Sequence, residues 1–233
     1  VLRFRWVQWR WRRLRGRRRF RAMVSTIFSE QDLAKIREAV QAAERGTRGE
    51  IVPMVVPASG RYGEARHRAG LAVALLTLAV LITLDYRWDL WWWSRHPAGW
   101  ILLSTVLAYS LGQWAGLLPG CIRLFASDAR MSLKVRRRAE QAFYQHGLHK
   151  TKEGTGVLIM MSLLERRVQV LADRAINDRV PPGTWDRLVA GLVEGIRAGR
   201  PTEALCQAIA RCGDLLATHF PAREGDNPDE LED

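Results

Sequence analysis

From Val157 to Leu163 the chain is apolar at every position but one, Ser162. After the polar link Leu164-Glu165-Arg166-Arg167, apolar Val168, Val170 and Ala172 recur at every second position. Both segments have strand length and period. Strands joined so tightly pair antiparallel, because a parallel return needs a crossover of a dozen residues or more. A strand this apolar is buried on both faces, so the sheet calls for helices on both sides. The chain supplies them elsewhere. Ser29 is expected to cap a helix from Glu30 to about Arg45, with Leu33, Ile36, Val40 and Ala43 on its buried face and Gly46 at its stop. Gly49 to Val56 reads as a further strand, and Pro53, which has no N–H to donate, assigns it to an edge or a bulge. Ser127 opens a helix from Asp128 to about Gln145 that gathers Met131, Val135, Ala139, Ala142 and Phe143 on one face. Beyond Pro181-Pro182-Gly183, Thr184 is expected to cap a helix from Trp185 to about Ala198. Thr202 is expected to cap the last one, which carries Leu205, Ile209, Cys212 and Leu216.

Two stretches break this pattern by being apolar all round. Residues 69–84 and 97–122 hold no charged side chain, and a bilayer core takes ~20 apolar residues in a helix. They are expected to form a transmembrane hairpin. Between them Tyr86, Trp88, Trp91, Trp92 and Trp93 suit a membrane–water interface. Arg61, Arg66 and Arg68 precede the hairpin, and Arg123, Arg130, Lys134, Arg136, Arg137 and Arg138 follow it. This excess of basic side chains makes both ends cytoplasmic. An even number of spans is also what a sheet shared by the strand at Ile51 and the strand at Val157 requires.

Charge adds less than its total implies. The formal net charge is +12, but residues 1–22 hold ten Arg and no acid, which leaves 12 − 10 = +2 for the rest. The basic character therefore belongs to an Arg/Trp-rich extension, expected to be disordered and to lie ahead of a translation start at Met23, and the domain proper is not expected to bind nucleic acid. Arg223 to Asp233 carries six acids and reads as a disordered tail. Cys121, Cys206 and Cys212 have neither CxxC spacing nor even number, and are expected to be small buried thiols. The resulting division is 1–22 extension, 24–60 and 127–221 globular domain, 69–84 and 97–122 membrane hairpin, and 222–233 tail.

The order Thr155-Gly156-Val157-Leu158-Ile159, Ser162, Glu165-Arg166-Arg167-Val168, Asp173 and Ile176 resembles the core of the TPM domain. That family takes in thylakoid-lumen photosystem repair proteins, a receptor-modulating membrane protein and many bacterial membrane or secreted proteins. The likeness continues through Trp185, Gly199, Ile209, Gly213 and His219-Phe220-Pro221 to Asn227, Glu230 and Leu231, and more weakly through Thr47 to Val56. It implies a three-layer α/β domain with a small mixed sheet between helices, here with the membrane hairpin inserted after the first strand. It also implies divalent-cation binding and, for part of the family, weak acid phosphatase activity.

The chain has no P-loop, no GxSxG and no nucleophile with a base placed beside it by sequence. His146 and His149 flank Gly147 without a third ligand in any metal-site pattern, and read as loop residues. A right-handed crossover makes the strand at Ile51 parallel to the one at Val157. Glu50, Thr155 and Asp173, with Asp178 close after, then fall at one end of the sheet. Their oxygens suit calcium or magnesium, with Asp173 the candidate catalytic group. The plainer alternative is that Asp173 caps the turn after its strand and Glu165 pairs with Arg166, Arg167 or solvent. Ligands of open α/β sheets also favour the carboxyl ends of parallel strands, here Ser162 and Glu165. The expected function is that of a membrane-anchored accessory module that binds a protein partner and a divalent cation. The alternative is a cation-dependent phosphatase.

Overall fold

The structure, a computed structural model, describes residues 28–88, 97–151 and 154–222. The Arg/Trp-rich extension, the Trp-rich connection from residue 89 and the acidic tail from residue 223 lie outside them. The chain divides into two units, residues 1–59 with 135–233, and residues 60–134.

The first unit is built on a three-stranded sheet of order β1-β2-β3, with β1 Glu50–Val56, β2 Gly156–Ser162 and β3 Arg167–Ala172. β1 runs parallel to β2 with Glu50 opposite Gly156 and Val56 opposite Ser162, and β3 runs antiparallel to β2. Pro53 therefore stands on an edge strand, where its missing N–H removes nothing from the sheet interior. Every residue of β2 is buried, and its alternation divides two cores. Val157, Ile159 and Met161 face one cluster with Ile36, Leu188, Leu192, Leu205, Ile209, Cys212 and Leu216. Leu158 and Met160 face another with Val135, Ala139, Ala142, Phe143 and Leu148.

The helices that supply these faces follow the expected order. α1 spans Glu30–Glu44 and opens with a capping box: Ser29 Oγ accepts the Asp32 N–H at 3.2 Å, and Asp32 Oδ2 accepts the Ser29 N–H at 2.9 Å. With α7 (Thr184–Arg197) and α8 (Pro201–His219), α1 covers the Ile159 face. The opposite face is covered by α5 (Asp128–Gln145) from Val135 onward. The architecture is the expected three-layer α/β arrangement. Two cap expectations fail. Thr184 is the first residue of α7, whose N-cap is left-handed Gly183, and α8 begins at Pro201 after Arg200, so neither helix takes its cap from a threonine. Pro201 outcompetes Thr202 because a residue without an N–H and with φ already helical suits the first helical position.

Residues quoted for the TPM resemblance serve as fasteners in this unit. The Phe220 carbonyl accepts the Arg48 N–H at 3.1 Å and the Thr47 hydroxyl at 2.8 Å, which ties the end of α8 to the approach to β1. A Cβ on Gly213 would stand 2.7 Å from the Ala43 Cβ, so α8 and α1 meet with no room for a side chain at that position.

The second unit contains α2 (Gly63–Trp88), α3 (Pro97–Ala115) and α4 (Pro119–Phe125). α2 is longer than the stretch expected at 69–84. The stretch at 97–122 is not one helix: it bends by 105° between α3 and α4, because Pro119 cannot continue the hydrogen-bonding of α3 and instead starts a new helix. One helical stretch, Gly63–Leu84, is long and apolar enough to cross a membrane, and a second counts if α3 and α4 are taken together. α2 and α3 pack closely. A Cβ on Gly112 would lie 2.8 Å from the Gly70 Cα, and one on Gly116 2.8 Å from the Arg66 Cα.

Candidate functional site

Both ends of the sheet hold polar groups, in different states. At the end where β1 and β2 begin, the Glu50 N–H donates to the Thr155 carbonyl at 3.1 Å and the Thr155 hydroxyl to the Arg48 carbonyl at 3.0 Å. β3 arrives at the same end, with the Asp173 N–H on the Gly156 carbonyl at 3.0 Å. The expectation that topology gathers Glu50, Thr155 and Asp173 at one end of the sheet is met.

Asp173 caps α6 (Arg174–Asn177): its Oδ1 accepts the Arg174 N–H at 2.7 Å. Its Oδ2 lies 3.5 Å from where a Cβ would stand on Gly154, and Gly154 holds a left-handed conformation at φ +65°. Asp178 closes α6 and pairs with Arg174 at 3.6 Å. Among the described residues no three His, Cys, Asp or Glu side chains are gathered to hold a metal ion. Glu50, Thr155 and Asp173 thus stand at one end of the sheet without a carboxylate cage among the described residues, and the plainer role of Asp173 as a cap is present.

Asp173 also borders a cavity of about 350 Å³. Leu171, Ala172, Asp173, Arg174 and Asn177 form one wall, and Glu140, Phe143 and Tyr144 of α5 the other. Asn177 is held by its own fork: its Nδ2 donates to the Ala172 carbonyl at 2.8 Å, and its Oδ1 accepts the Trp185 indole N–H at 2.9 Å. Tyr144 is exposed and its ring sits 5.1 Å from that of His149. Glu140 is engaged by Arg136 at 2.9 Å. The cavity thus combines an aromatic wall with an acid, an arginine and an amide. Sequence reading found Asp173 but missed Asn177, four positions on in α6, and Glu140 and Tyr144, which join it only because α5 brings in residues about thirty positions away.

At the opposite end, Glu165 is buried. Its Oε1 accepts the Ser59 N–H at 2.8 Å and its Oε2 the Ser162 hydroxyl, while the Ser59 hydroxyl donates to Ser162 Oγ at 2.8 Å. These bonds fasten the chain leaving β1 to the β2–β3 turn, helped by N–H groups of Leu163 and Leu164 on the carbonyls of Val56 and Pro57. Arg166 makes this turn possible at φ 53°, an uncommon conformation for a residue with a side chain. Both oxygens of the Glu165 carboxylate are engaged within the chain, so the cluster reads as a fastening.

Cys121, Cys206 and Cys212 are free thiols, and of the three only Cys212 is buried as expected; Cys121 and Cys206 are half-buried. Burial pushes the Cys212 thiol up to about 12, which makes it a core group without nucleophilic character.

The TPM domain profile matches residues 128–215, from α5 through most of α8 and across β2, β3 and the cavity. The chain carries a TPM domain. A solved structure, that of the BA42 protein from the psychrophilic bacterium Bizionia argentinensis, is similar with a TM-score of 0.52 at 18% identity, over 86% of this chain and 88% of that one. At that identity the likeness shows the fold. No curated protein matches.

Proposed function

We propose that this protein is a membrane-anchored TPM-domain module: α2 and α3 sit in the bilayer, and the domain on the cytoplasmic side engages a protein partner near the membrane. The observation that carries the reading is the outward aim of the apolar side chains of the second unit. Leu76 of α2 is 67% exposed, and Leu107 and Leu111 of α3 are 56% and 69% exposed, in company with Leu71, Leu75, Val80, Leu102 and Val106. Core helices of a water-soluble protein bury such residues; helices whose solvent is lipid do not. The small residues Gly70, Gly112 and Gly116 at the contact between the helices support the same reading, since membrane helices associate through close backbone approach rather than through burying leucine. The basic flanks support cytoplasmic ends.

The test is extraction of membranes at alkaline pH. The unaltered chain is expected to stay in the pellet, and a Leu76→Lys, Leu107→Lys variant to leave it. Release of the unaltered chain would refute the anchor.

A second reading, cation-dependent phosphatase activity, is favoured by one feature: Asp173 and the exposed Arg174 stand together at the cavity, a carboxylate for a cation beside a guanidinium for a phosphate. Calorimetry with calcium and magnesium, and turnover of a phosphate ester, decide it. Heat and turnover that Asp173→Ala abolishes in a folded chain would establish this reading. Their absence from the unaltered chain would leave the binding module alone.

A further inference from the structure

The bend between α3 and α4 places a second feature at the foot of the hairpin. α3 has 19 residues, so at ~1.5 Å per residue it spans about 28 Å, close to the ~30 Å hydrocarbon core. On the anchored reading α3 crosses the bilayer, and the 105° turn that follows then carries α4 along the membrane surface, not away from it. α4 buries none of its residues. Leu117 and Leu118 at the bend and Leu124 near its end are exposed, Leu124 to 77%. Such leucines fit the boundary between headgroups and acyl chains.

The same foot carries guanidinium groups. Arg68 of α2 donates to the Phe125 carbonyl at 3.2 Å, which joins the start of α2 to the end of α4. Arg123 lies on α4 itself. The Arg66 Nε is buried with no hydrogen-bond partner, and the Arg66 backbone stands against Gly116 at the bend. Glu64, the acid of the first turn of α2, is taken by Arg130. A buried guanidinium N–H calls for an acceptor, and a planar fork matches phosphate oxygens.

We propose that α4 is an interfacial helix and that Arg66, Arg68 and Arg123 bind the phosphate of anionic phospholipids at the foot of the hairpin. The proposal rests on the anchored reading, and it adds a lipid preference that an anchor alone does not have. Apolar spans dissolve equally in neutral and anionic bilayers; a guanidinium rim does not.

Amide hydrogen exchange on the full, unaltered chain tests it, in phosphatidylcholine vesicles with and without phosphatidylglycerol. The expected result is protection of α3 in both, with α4 amides exchanging more slowly, on the order of tenfold, when the anionic lipid is present. Arg66→Gln with Arg123→Gln should abolish that difference and leave α3 unchanged. Protected α3 with identical α4 exchange in the two vesicles would overturn the lipid preference while leaving the anchor in place. Free exchange in α3 would remove both. Inorganic phosphate reproducing the α4 protection in phosphatidylcholine vesicles would assign the rim to the free anion and overturn the lipid assignment.

Discussion

β2 and α3 are written in nearly the same alphabet and end in opposite surroundings. Leu158, Ile159 and Met160 are almost wholly enclosed by protein, while Leu102, Leu107 and Leu111 face outward. Side-chain hydrophobicity alone does not separate the two. Length and period do: a strand of seven residues alternates between two cores and exhausts both, whereas a helix of 19 residues turns its apolar groups through every direction and outnumbers what a single neighbouring helix can cover. On the anchored reading, lipid takes the place of protein around α3.

The sharpest way to break this contrast is to treat both regions alike. Ile159→Ala removes a side chain packed on all sides and is expected to cost about 2–5 kcal/mol, read as a lowered denaturation midpoint of the globular unit. Leu111→Ala removes an outward side chain and should leave that midpoint unmoved. A charge reverses the ranking of sites: Leu107→Arg is expected to disfavour insertion by about 2.5–3.5 kcal/mol, seen as protein in the soluble fraction with the globular unit still folded.

Close contacts offer a smaller and more symmetrical comparison. Gly112→Val drives a side chain into the α2 backbone, and Gly213→Val drives one into Ala43 of α1. Each should cost about 1–3 kcal/mol. The first is expected to loosen the hairpin, measured by faster proteolysis between α2 and α3 in detergent, and the second to lower the midpoint of the globular unit.

The smallest effects are confined to the globular unit. Ser29→Ala removes the α1 cap and is expected to cost about 1 kcal/mol. It also bears on pH. The Ser29 hydroxyl and N–H hold the Asp32 carboxyl below its ordinary value, so Asp32 binds its proton more weakly in the folded chain. That contribution is present above the ordinary carboxylate range and is lost as pH falls through the depressed value. Ser29→Ala should flatten the acid limb of the stability profile. Cys212 gives the opposite sign. Its thiol, raised to about 12 by burial, keeps its proton in the folded chain while the unfolded chain loses it near ~8.5. Stability should then decline as pH rises above that, and Cys212→Ala should remove this part of the alkaline loss. In the folded chain Cys212 should resist alkylation at neutral pH.

What was legible in the sequence was local. The unbroken run of β2, the edge position announced by Pro53, and the faces of α1, α5, α7 and α8 all follow from period and burial. The parallel register of β1 with β2 followed from handedness. The misreadings have physical causes. A scan for charge treats 97–122 as one segment, though Pro119 was there to end it. Thr184 and Thr202 look like caps until Gly183 and Pro201 occupy the places that decide where each helix starts. The bond from Ser59 to Glu165 joins residues 106 positions apart, and no local pattern announces it. The cavity beside Asp173 escaped for the same reason, since half its wall belongs to α5.

The Ser59–Ser162 contact also sets a clock. These residues are 103 positions apart, and at a synthesis rate of ~5–20 residues per second β1 waits roughly 5–20 s before its partner strand leaves the ribosome. Throughout that interval Ile51, Val52, Met54, Val55 and Val56 form a short, apolar, β-prone stretch with no strand to pair with. Pro53 stands at its centre. A proline there denies a neighbouring nascent chain one hydrogen bond in the middle of any ladder it tries to build. The residue that looked like a restriction on the finished sheet is thus a guard on the unfinished one, retired only when β2 arrives.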